Sequence, residues 1–197
     1  MNIDWLDYVA KLDKILRDLS VINLSGKELS QAEAMVQWRD LAIKLKNSGN
    51  RIYFVGNGAS ASMASHFAAD IPKNAGIKTQ VFTDLALITA LSNDICYEEV
   101  YAEPLRWYMK KEDMLIAISS SGNSPNIINA AVEAKQRGGV VVTLSAMDKN
   151  NPLRQLGDLN YYAPAHTYGL SETAHAAILH YWMDLVEAKV KDFDLIK

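Results

Sequence analysis

The stretch 51–70, RIYFVGNGASASMASHFAAD, constrains the fold more than any other part of this 197-residue chain. Residues 52–55 are β-branched or aromatic, as in a strand that is covered on both faces. The small residues 56–60 follow, and they supply a tight turn and an N-cap for the helix that occupies the rest of the stretch. A strand that enters a helix through such a turn offers backbone N–H groups to a phosphate. The stretch therefore predicts a strand–turn–helix unit with a phosphate site in its turn.

The alternation of strand and helix continues along the chain. Four more apolar runs predict strands at residues 79–82, 114–118, 140–144 and 159–163. Helices or helical turns are predicted at residues 85–91, 97–109, 125–136 and 151–156. Pro104 either bends the second of these helices or lies in a first turn. Because the strands are mostly continuous apolar runs, we predict an α/β fold with a doubly wound five-stranded parallel sheet, which binds ligands at the carboxyl ends of its strands.

Two helices precede the first strand and one long helix closes the chain. Apolar residues at helical spacing predict a first helix over about residues 1–20 and a second over 26–46, with Ser25 and Glu28 as a capping box. The apolar residues spread more widely than one stripe, which favours contacts with another subunit over packing on the sheet alone. The last helix is predicted over about residues 170–190. Because no linker or repeat divides the chain, residues 1–197 are predicted to form a single domain, of which 1–50 are a helical extension.

Composition and charge exclude several kinds of partner and location. The net charge of −3 and the scattered Lys and Arg residues give no basic stripe, so no nucleic acid is expected to bind. The first residues lack the basic and apolar regions of a signal peptide, and no apolar run approaches the roughly 18 residues of a membrane span. The single cysteine, Cys96, excludes an intrachain disulfide and suits a reducing compartment. We therefore expect a cytoplasmic protein with no membrane partner.

A second polar turn follows the predicted strand at 114–118. Residues 119–124 read SSSGNS, and Pro125 suits the first position of the helix after them. Four hydroxyl groups and the N–H groups of a helix start can hold a phosphate, although a solvated, capped loop would have the same composition. Together the two turns favour phosphate binding. A dinucleotide site is the alternative, because residues 56–61 match the pattern G-x-G-x-x-A, whereas the lysine of a P-loop is absent from both turns.

Histidines and carboxylates on two predicted helices are candidate ligands of a metal ion or a substrate. His66 and Asp70 lie four residues apart and share one face of their helix. Glu172 and His180 lie on the last helix, about 12 Å apart along its axis, so one straight helix does not easily bring both to one ion. A neighbouring subunit would ease this difficulty. A polar subunit interface without a metal is the alternative.

These residues together resemble the sugar isomerase (SIS) domain family. The resemblance covers nearly the whole chain and rests on the turns at 57–60 and 119–126, the pair Asn93-Asp94, the segment 66–70 and His180. Within the family, the pattern is most similar to the phosphoheptose isomerases. It implies a flavodoxin-like SIS fold and an aldose–ketose isomerase that converts sedoheptulose 7-phosphate to D-glycero-D-manno-heptose 7-phosphate for heptose-containing glycans. It also implies a homotetramer with a zinc ion in active sites at subunit boundaries.

The resemblance assigns roles residue by residue. The implied zinc ligands are His66, Asp70, Glu172 and His180. Asp70 or Glu172 is the implied base of the proton transfers, and His180 is the implied acid. The implied substrate and phosphate contacts are Asn57, Gly58, Ser60, Asn93, Asp94, Ser119, Ser120, Ser121 and Ser124.

Several positions differ from the usual pattern of the family. Asp70 stands where glutamate is usual, Glu172 stands where glutamine is usual, and residues 73–75 replace a Gly-Arg-Tyr segment that contains a substrate arginine. These differences bear on the seven-carbon substrate more than on the phosphosugar-binding fold. The alternative function is a non-catalytic phosphosugar-binding SIS protein that acts as a sensor or a scaffold. The presence of His66 and His180 favours the enzyme.

Overall fold

The computed structural model describes residues 4–195, and within them one seven-stranded sheet carries helices on both faces. The strands are β1 (Ser20–Asn23), β2 (Glu28–Leu29), β3 (Arg51–Gly56), β4 (Lys78–Val81), β5 (Met114–Ser119), β6 (Val140–Ser145) and β7 (Leu159–Tyr162). The helices are α1 (Trp5–Arg17), α2 (Gln31–Ser48), α3 (Ala59–Ala75), α4 (Leu85–Asp94), α5 (Ala102–Tyr108), α6 (Pro125–Gln136) and α7 (Tyr168–Lys191), with 3-10 turns at Tyr97–Glu99 and Pro152–Gln155. Residues 1–3 of the predicted first helix and residues 196–197 of the predicted domain lie outside the described residues.

The strands lie in the order β2-β1-β7-β6-β5-β3-β4. Strands β3 to β7 pair in parallel, which confirms the predicted five-stranded, doubly wound core. Two antiparallel strands, β1 and β2, extend this core beyond β7, and the sequence pattern does not predict them. Strand β1 pairs with a strand that lies far along the chain, and no local pattern indicates such a pairing.

The two faces of the sheet carry separate apolar cores. Ile52 and Phe54 of β3 point into a core shared with α2, α3 and α7, whereas Tyr53 and Val55 point into a core shared with α5 and α6. On the first face, Trp38 of α2 stacks on Trp182 of α7 with ring centroids 4.3 Å apart. Helix α2 therefore packs within its own chain. Helix α1 instead leaves several apolar side chains exposed, among them Trp5, Leu6 and Val9.

Two predicted helix boundaries are wrong. The capping box is formed by Ser30 and Glu33, whose side chains each bond the other's backbone N–H, so α2 begins at Gln31. Ser25 and Glu28 have the same spacing but lie in the β1–β2 hairpin. The predicted helix at 97–109 is split into a 3-10 turn and α5, with Pro104 in the first turn of α5. Along residues 4–195, no helix is long and apolar enough to span a membrane.

Candidate active site

The two predicted polar turns lie side by side at the carboxyl edge of the sheet. The first joins β3 to α3 and the second joins β5 to α6. Strands β3 and β5 pair directly, with Gly56 opposite Ile118, and β4 lies on the other side of β3. The connections therefore reverse direction across the sheet between β3 and β5. Such a switch point is where open α/β sheets bind ligands.

A cleft of about 140 Å³ opens between these turns, and we call it the serine cleft. Seven predicted site residues line it: Asn57, Ser60, Ser119, Ser120, Ser121, Ser124 and Glu172. Ile118 and Tyr168 complete the lining, and the sequence pattern predicts a role for neither. Glu172 supplies the one carboxylate among the described lining residues. The cleft therefore combines hydroxyl and amide groups with a single negative charge.

The turn at residues 119–124 presents hydroxyl groups to this cleft. Ser119 Oγ lies 3.3 Å from Ser124 Oγ and accepts a hydrogen bond from the Gly122 N–H at 3.2 Å. Ser124 is the N-cap of α6, yet its side chain makes no capping bond. Its hydroxyl is therefore available to an anion at the N-terminal end of α6, where the helix dipole favours negative charge.

The side chain of Asn151 packs against Gly122 in the turn at residues 119–124. Its fully buried side chain donates to Ser145 Oγ at 3.0 Å and to the Asp148 carbonyl at 2.7 Å. Gly122 has a φ of +64°, and a Cβ atom at this position would lie 1.9 Å from Asn151 Oδ1. The turn therefore requires glycine at 122 for conformational and for steric reasons.

A pair of asparagines fixes the first turn. Asn57 and Asn126 exchange two side-chain hydrogen bonds of 2.9 Å each, and Asn126 is fully buried. The Tyr97 hydroxyl donates at 3.2 Å to Asn57 Oδ1, the oxygen that also accepts a hydrogen bond from Asn126. Sequence reasoning assigns no role to Asn126 or Tyr97, and only the position of Asn126 at the end of the family-like stretch 119–126 could have indicated one. The orientation of Asn57 in the cleft therefore depends on residues far from it in sequence.

His66, Asp70 and His180 form a second polar group on the seam between α3 and α7, and we call it the histidine group. His66 Nε2 lies 3.4 Å from Asp70 Oδ2, and the rings of His66 and His180 have centroids 5.4 Å apart. Lys73 Nζ approaches the other Asp70 oxygen at 3.7 Å. The His66 side chain is half exposed and His180 is exposed, so the group is open to solvent in the single chain.

The serine cleft and the histidine group lie along one seam. Ser60 and Glu172 line the cleft near the starts of α3 and α7, and His66 and His180 meet farther along the same two helices. The helices therefore run side by side in the same direction. The rise of an α-helix separates Glu172 from His180 by about 12 Å.

Part of the predicted metal set fits a divalent ion. The 3.4 Å between His66 Nε2 and Asp70 Oδ2 is close to the separation of two ligands that bind one tetrahedral zinc ion at about 2.0–2.2 Å. His180 lies beside this pair, whereas Glu172 lies in the serine cleft. Among the described residues of one chain, no three His, Cys, Asp or Glu side chains are grouped as a metal centre.

Three predicted substrate residues are not among those that line the serine cleft. Gly58 is the N-cap of α3, with a φ of +55°. Asn93 and Asp94 lie at the end of α4, where the Asn93 amide donates to the Asp94 carboxylate at 2.8 Å. All three are exposed in the single chain. Their contacts with a substrate stay predictions.

The sequence is similar to a known domain and to named enzymes. The profile of the SIS domain matches residues 19–146. A phosphoheptose isomerase of Helicobacter pylori (strain P12) is 32% identical over 164 residues, which cover 80% of this chain and 85% of that protein. A phosphoheptose isomerase of Coxiella burnetii (strain RSA 493 / Nine Mile phase I) is 31% identical over 166 residues, which cover 80% of this chain and 83% of that protein.

Solved structures share the fold. Phosphoheptose isomerase GmhA from Neisseria gonorrhoeae matches with a TM-score of 0.78 at 25% identity, over 92% of this chain and 96% of that chain. The Vibrio vulnificus NanR protein, solved in complex with ManNAc-6P, matches with a TM-score of 0.63 at 17% identity, over 96% of this chain and 64% of that chain. At 17% identity the second likeness concerns the fold alone.

Proposed function

Because the chain belongs to the SIS domain family, we propose that it is an aldose–ketose isomerase of a sugar phosphate. Relatives named phosphoheptose isomerase, at 31–32% identity over about 80% of the chain, support sedoheptulose 7-phosphate as the substrate. The product would be D-glycero-D-manno-heptose 7-phosphate, for heptose-containing glycans. The observation that carries the proposal is the serine cleft, which combines hydroxyl and amide groups that suit a phosphate with a carboxylate at the switch point of the sheet.

The proposed reaction moves protons between two neighbouring carbons and their oxygens. A base removes a proton from C1 of the ketose while O2 gains a proton, which gives an enediol. C2 then gains a proton while O1 loses one, which gives the aldose. No atom or electron is gained or lost overall, so the chemistry needs one base and one acid that act at adjacent positions.

We assign the phosphate to the serine cleft and the reacting carbons to the histidine group. In an open-chain heptose 7-phosphate, C1 and C2 lie at the opposite end of the molecule from the phosphate. The seam between α3 and α7 offers a corresponding separation, because His180 lies about 12 Å beyond Glu172. The hydroxyls of Ser119 and Ser124 would hold the phosphate, and Glu172 would face the hydroxyl groups of the sugar.

Within the histidine group, Asp70 is the proposed base and His180 the proposed acid. Both lie beside His66, so they can act on neighbouring atoms of one substrate. A carboxylate can accept the C1 proton, and an imidazole can exchange a proton with the oxygens. This assignment separates the roles of the two candidate bases, because Glu172 then binds the sugar.

We also propose that the enzyme uses a divalent metal ion, zinc by family resemblance, held by His66, Asp70 and His180. The spacing of His66 and Asp70 supports this, and because the described residues of one chain hold no group of three such ligands, His180 would have to turn toward that pair. A bound ion would supply Lewis acidity at the substrate carbonyl. Glu172, the fourth expected ligand, lies in the serine cleft and binds the sugar in this proposal, so a further ligand of the ion would come from a second chain. The proposal therefore includes a homotetramer with sites at subunit boundaries, in the cytoplasm.

Turnover of sedoheptulose 7-phosphate by the purified full-length protein tests this function. We expect proton and phosphorus NMR to show an aldose 7-phosphate that accumulates to an equilibrium mixture with the ketose. The absence of conversion with this or any five- or six-carbon ketose phosphate would overturn the isomerase. A chelator-treated sample tests the metal separately, because we expect its activity to be lost and to return with zinc. A rate unchanged by chelation would remove the metal from the proposal and leave the isomerase.

A non-catalytic phosphosugar sensor or scaffold is not favoured. The relatives at about 30% identity are named as isomerases. The NanR likeness is confined to the fold. The seam also carries an acid–base set that a protein binding the sugar phosphate alone would not need.

A further inference from the structure

A cavity of about 450 Å³ lies at the amino edge of the sheet, opposite the serine cleft, and we call it the amino-edge cavity. It lies between the end of α2, the starts of β3 and β4, the end of α5 and the segment 109–113 that joins α5 to β5. Its volume falls within the range of about 300–1,000 Å³ that is usual for small-molecule sites. It shares no lining residue with the serine cleft or the histidine group.

Three cations line the amino-edge cavity: Arg51, Lys78 and Lys110. Among residues 4–195, none of these three forms a salt bridge with a carboxylate. The Arg51 guanidinium donates to the Gln80 side chain, and Lys78 Nζ reaches the Gly49 carbonyl at 3.4 Å. In a chain whose net charge is −3, the cavity is therefore a local surplus of positive charge that favours an anion.

The carboxylate of the cavity, Asp113, is already satisfied. It is 3% exposed, and its Oδ1 accepts hydrogen bonds from Asn50 Nδ2 and from the Arg51 N–H, both at 2.9 Å. Its Oδ2 accepts from the Lys110 N–H at 2.7 Å. Asp113 therefore fixes the backbone that carries two of the cations and does not pair with their side chains.

Two half-exposed aromatic rings lie beside these cations. Trp107 is 51% exposed, and a 2.9 Å hydrogen bond from its indole N–H to Glu103 orients the ring. Tyr108 is 50% exposed and stacks on Phe82, with ring centroids 6.3 Å apart. Aromatic rings that are held in place and half exposed can stack on a planar ring of a ligand.

We propose that the amino-edge cavity binds a nucleotide, with its phosphates on Arg51, Lys78 and Lys110 and its base against Trp107. Cations that have no carboxylate partner favour a ligand with several negative charges, because hydrogen bonds between charged groups are stronger than those between neutral groups. The half-exposed rings select a planar group, and the cavity has the volume for both parts of one ligand. A sugar phosphate would use the cations but has no planar ring to stack on the aromatic side chains. Because the cavity is separate from the serine cleft, this inference does not rest on the proposed isomerase.

Calorimetric titration of the full-length protein with ATP, adenosine and inorganic phosphate tests the proposal. We expect ATP to bind, and adenosine and phosphate to bind at least tenfold more weakly, because each keeps only part of the contacts. The double variant Lys78→Gln/Lys110→Gln should lower the affinity for ATP at least tenfold. Trp107→Ala should weaken the binding of ATP more than the binding of inorganic phosphate, since only ATP carries a planar ring.

Two further variants make the test specific to this cavity. Lys149→Gln removes an exposed lysine elsewhere and should leave the affinity for ATP unchanged. Ser121→Ala alters the serine cleft and should also leave it unchanged, so a loss of ATP binding in this variant would move the nucleotide to the cleft and overturn the proposal. Equal ATP affinity in the wild type and in Lys78→Gln/Lys110→Gln would overturn it as well. The proposal would also be overturned if millimolar ATP gave neither a heat of binding in calorimetry nor quenching of the tryptophan fluorescence.

Discussion

His175 lies on α7 together with His180 but belongs to the core. It is fully buried, and among the described residues neither ring nitrogen makes a hydrogen bond of good geometry, although the nearby Ser145 backbone partly opposes the effect of burial on its pKa. Burial lowers the pKa of His175 from 6.5 to about 4, because the charged imidazolium loses its hydration there. The folded protein therefore keeps this imidazole neutral in a pH range in which the unfolded chain binds a proton.

We predict that His175 makes the protein less stable as the pH falls from about 6.5 to about 4. In this window the unfolded state binds more protons than the folded state, so the free energy of unfolding falls as the pH is lowered, by about 3 kcal/mol in all. Urea unfolding at pH 7 and pH 4.5 measures the effect. His175→Gln stays neutral at both pH values and should lose less stability on acidification than the wild type. The exposed His166→Gln is the control and should follow the wild type, whereas equal losses in His175→Gln and the wild type would contradict the prediction.

At the scale of residues, the sequence predicts the polar residues that carry the proposed chemistry better than the residues that position them. The serines of both turns are predicted as substrate contacts and do meet in one cleft, because residues that follow neighbouring parallel strands share an edge of the sheet. Glu172, predicted as a metal ligand and base, lies on α7 in the same cleft, and the pattern does not indicate that position. Tyr168, Asn126 and Tyr97 are not predicted as site residues. Their roles arise from contacts between distant parts of the chain, such as Tyr97 with Asn57, and a local pattern contains no information on these contacts.

Among the elements, the serine turn depends on the segment that follows the neighbouring strand β6. The Ala146 N–H donates to the Ser120 carbonyl at 3.0 Å, and the Leu153 N–H donates to the Gly122 carbonyl at 3.1 Å. The side chain of Asn151 fills the space directly behind Gly122. The turn between β5 and α6 therefore has its shape only when β6 and its following loop are in place.

We predict that Gly122→Ala weakens binding of the phosphorylated substrate, with a KM at least tenfold higher, because Asn151 and the turn must move apart. The measurement is steady-state kinetics together with thermal unfolding. Gly26→Ala is the matched control, since Gly26 also has a positive φ, of +79°, but no atom lies within 4 Å of its added Cβ. The control should lose about 1–2 kcal/mol of stability from strain and keep its KM. Equal effects of the two substitutions on KM would contradict a steric role for Gly122.

The elements that the sequence predicts best are those with a strong local signal. The parallel strands are long apolar runs, and their predicted bounds lie within a few residues of β3 to β7. Strands β1 and β2 have four and two residues and form by pairing with distant or adjacent strands, so their signal is weak. The sequence pattern predicts the capping box at Ser25 instead of Ser30, because both serines have a glutamate three residues later.

At the scale of the whole molecule, α1 presents an apolar face to solvent. Trp5, Leu6 and Val9 are 70%, 68% and 42% exposed in the single chain. Near the other end of α1, Leu16, Met35 and Tyr181 help to line a mostly apolar groove of about 400 Å³ between α1, α2 and α7. Exposed apolar surface of this kind is typical of protein–protein contacts. It agrees with the proposal that several copies of the chain assemble.

We predict that the full-length protein has about four times the 21.9 kDa mass of one chain in light scattering after size exclusion. Leu6→Glu/Val9→Glu should lower that mass, because the charges would be buried against a second chain. It should also lower activity if the sites draw on two chains. Val132→Glu changes a residue of α6 that is 37% exposed, and it should change neither the mass in light scattering nor the activity. A monomeric wild type would contradict the prediction, as would a tetramer that Leu6→Glu/Val9→Glu leaves intact.

The doubly wound architecture follows from the order of strands and helices in the sequence, and the structure confirms it. The proposed assembly does not follow in the same way, because exposed apolar side chains on α1 favour a protein–protein contact without fixing the number of copies that meet. The metal set shows the same limit. His66 and Asp70 are close because they are four residues apart on a helix, whereas Glu172 lies in the serine cleft of the same chain, away from them.

The most direct test of the proposed chemistry is the rate of sedoheptulose 7-phosphate isomerisation by the wild type, Asp70→Asn and Glu172→Gln. We predict turnover by the wild type, a loss of at least a thousandfold in kcat for Asp70→Asn, and a kcat within tenfold of the wild type for Glu172→Gln, since its amide can still bond the sugar. Asp70→Asn should still bind the substrate in the serine cleft, which calorimetry checks. Near-normal turnover by Asp70→Asn, or a loss confined to Glu172→Gln, would contradict the assignment of Asp70 as the base.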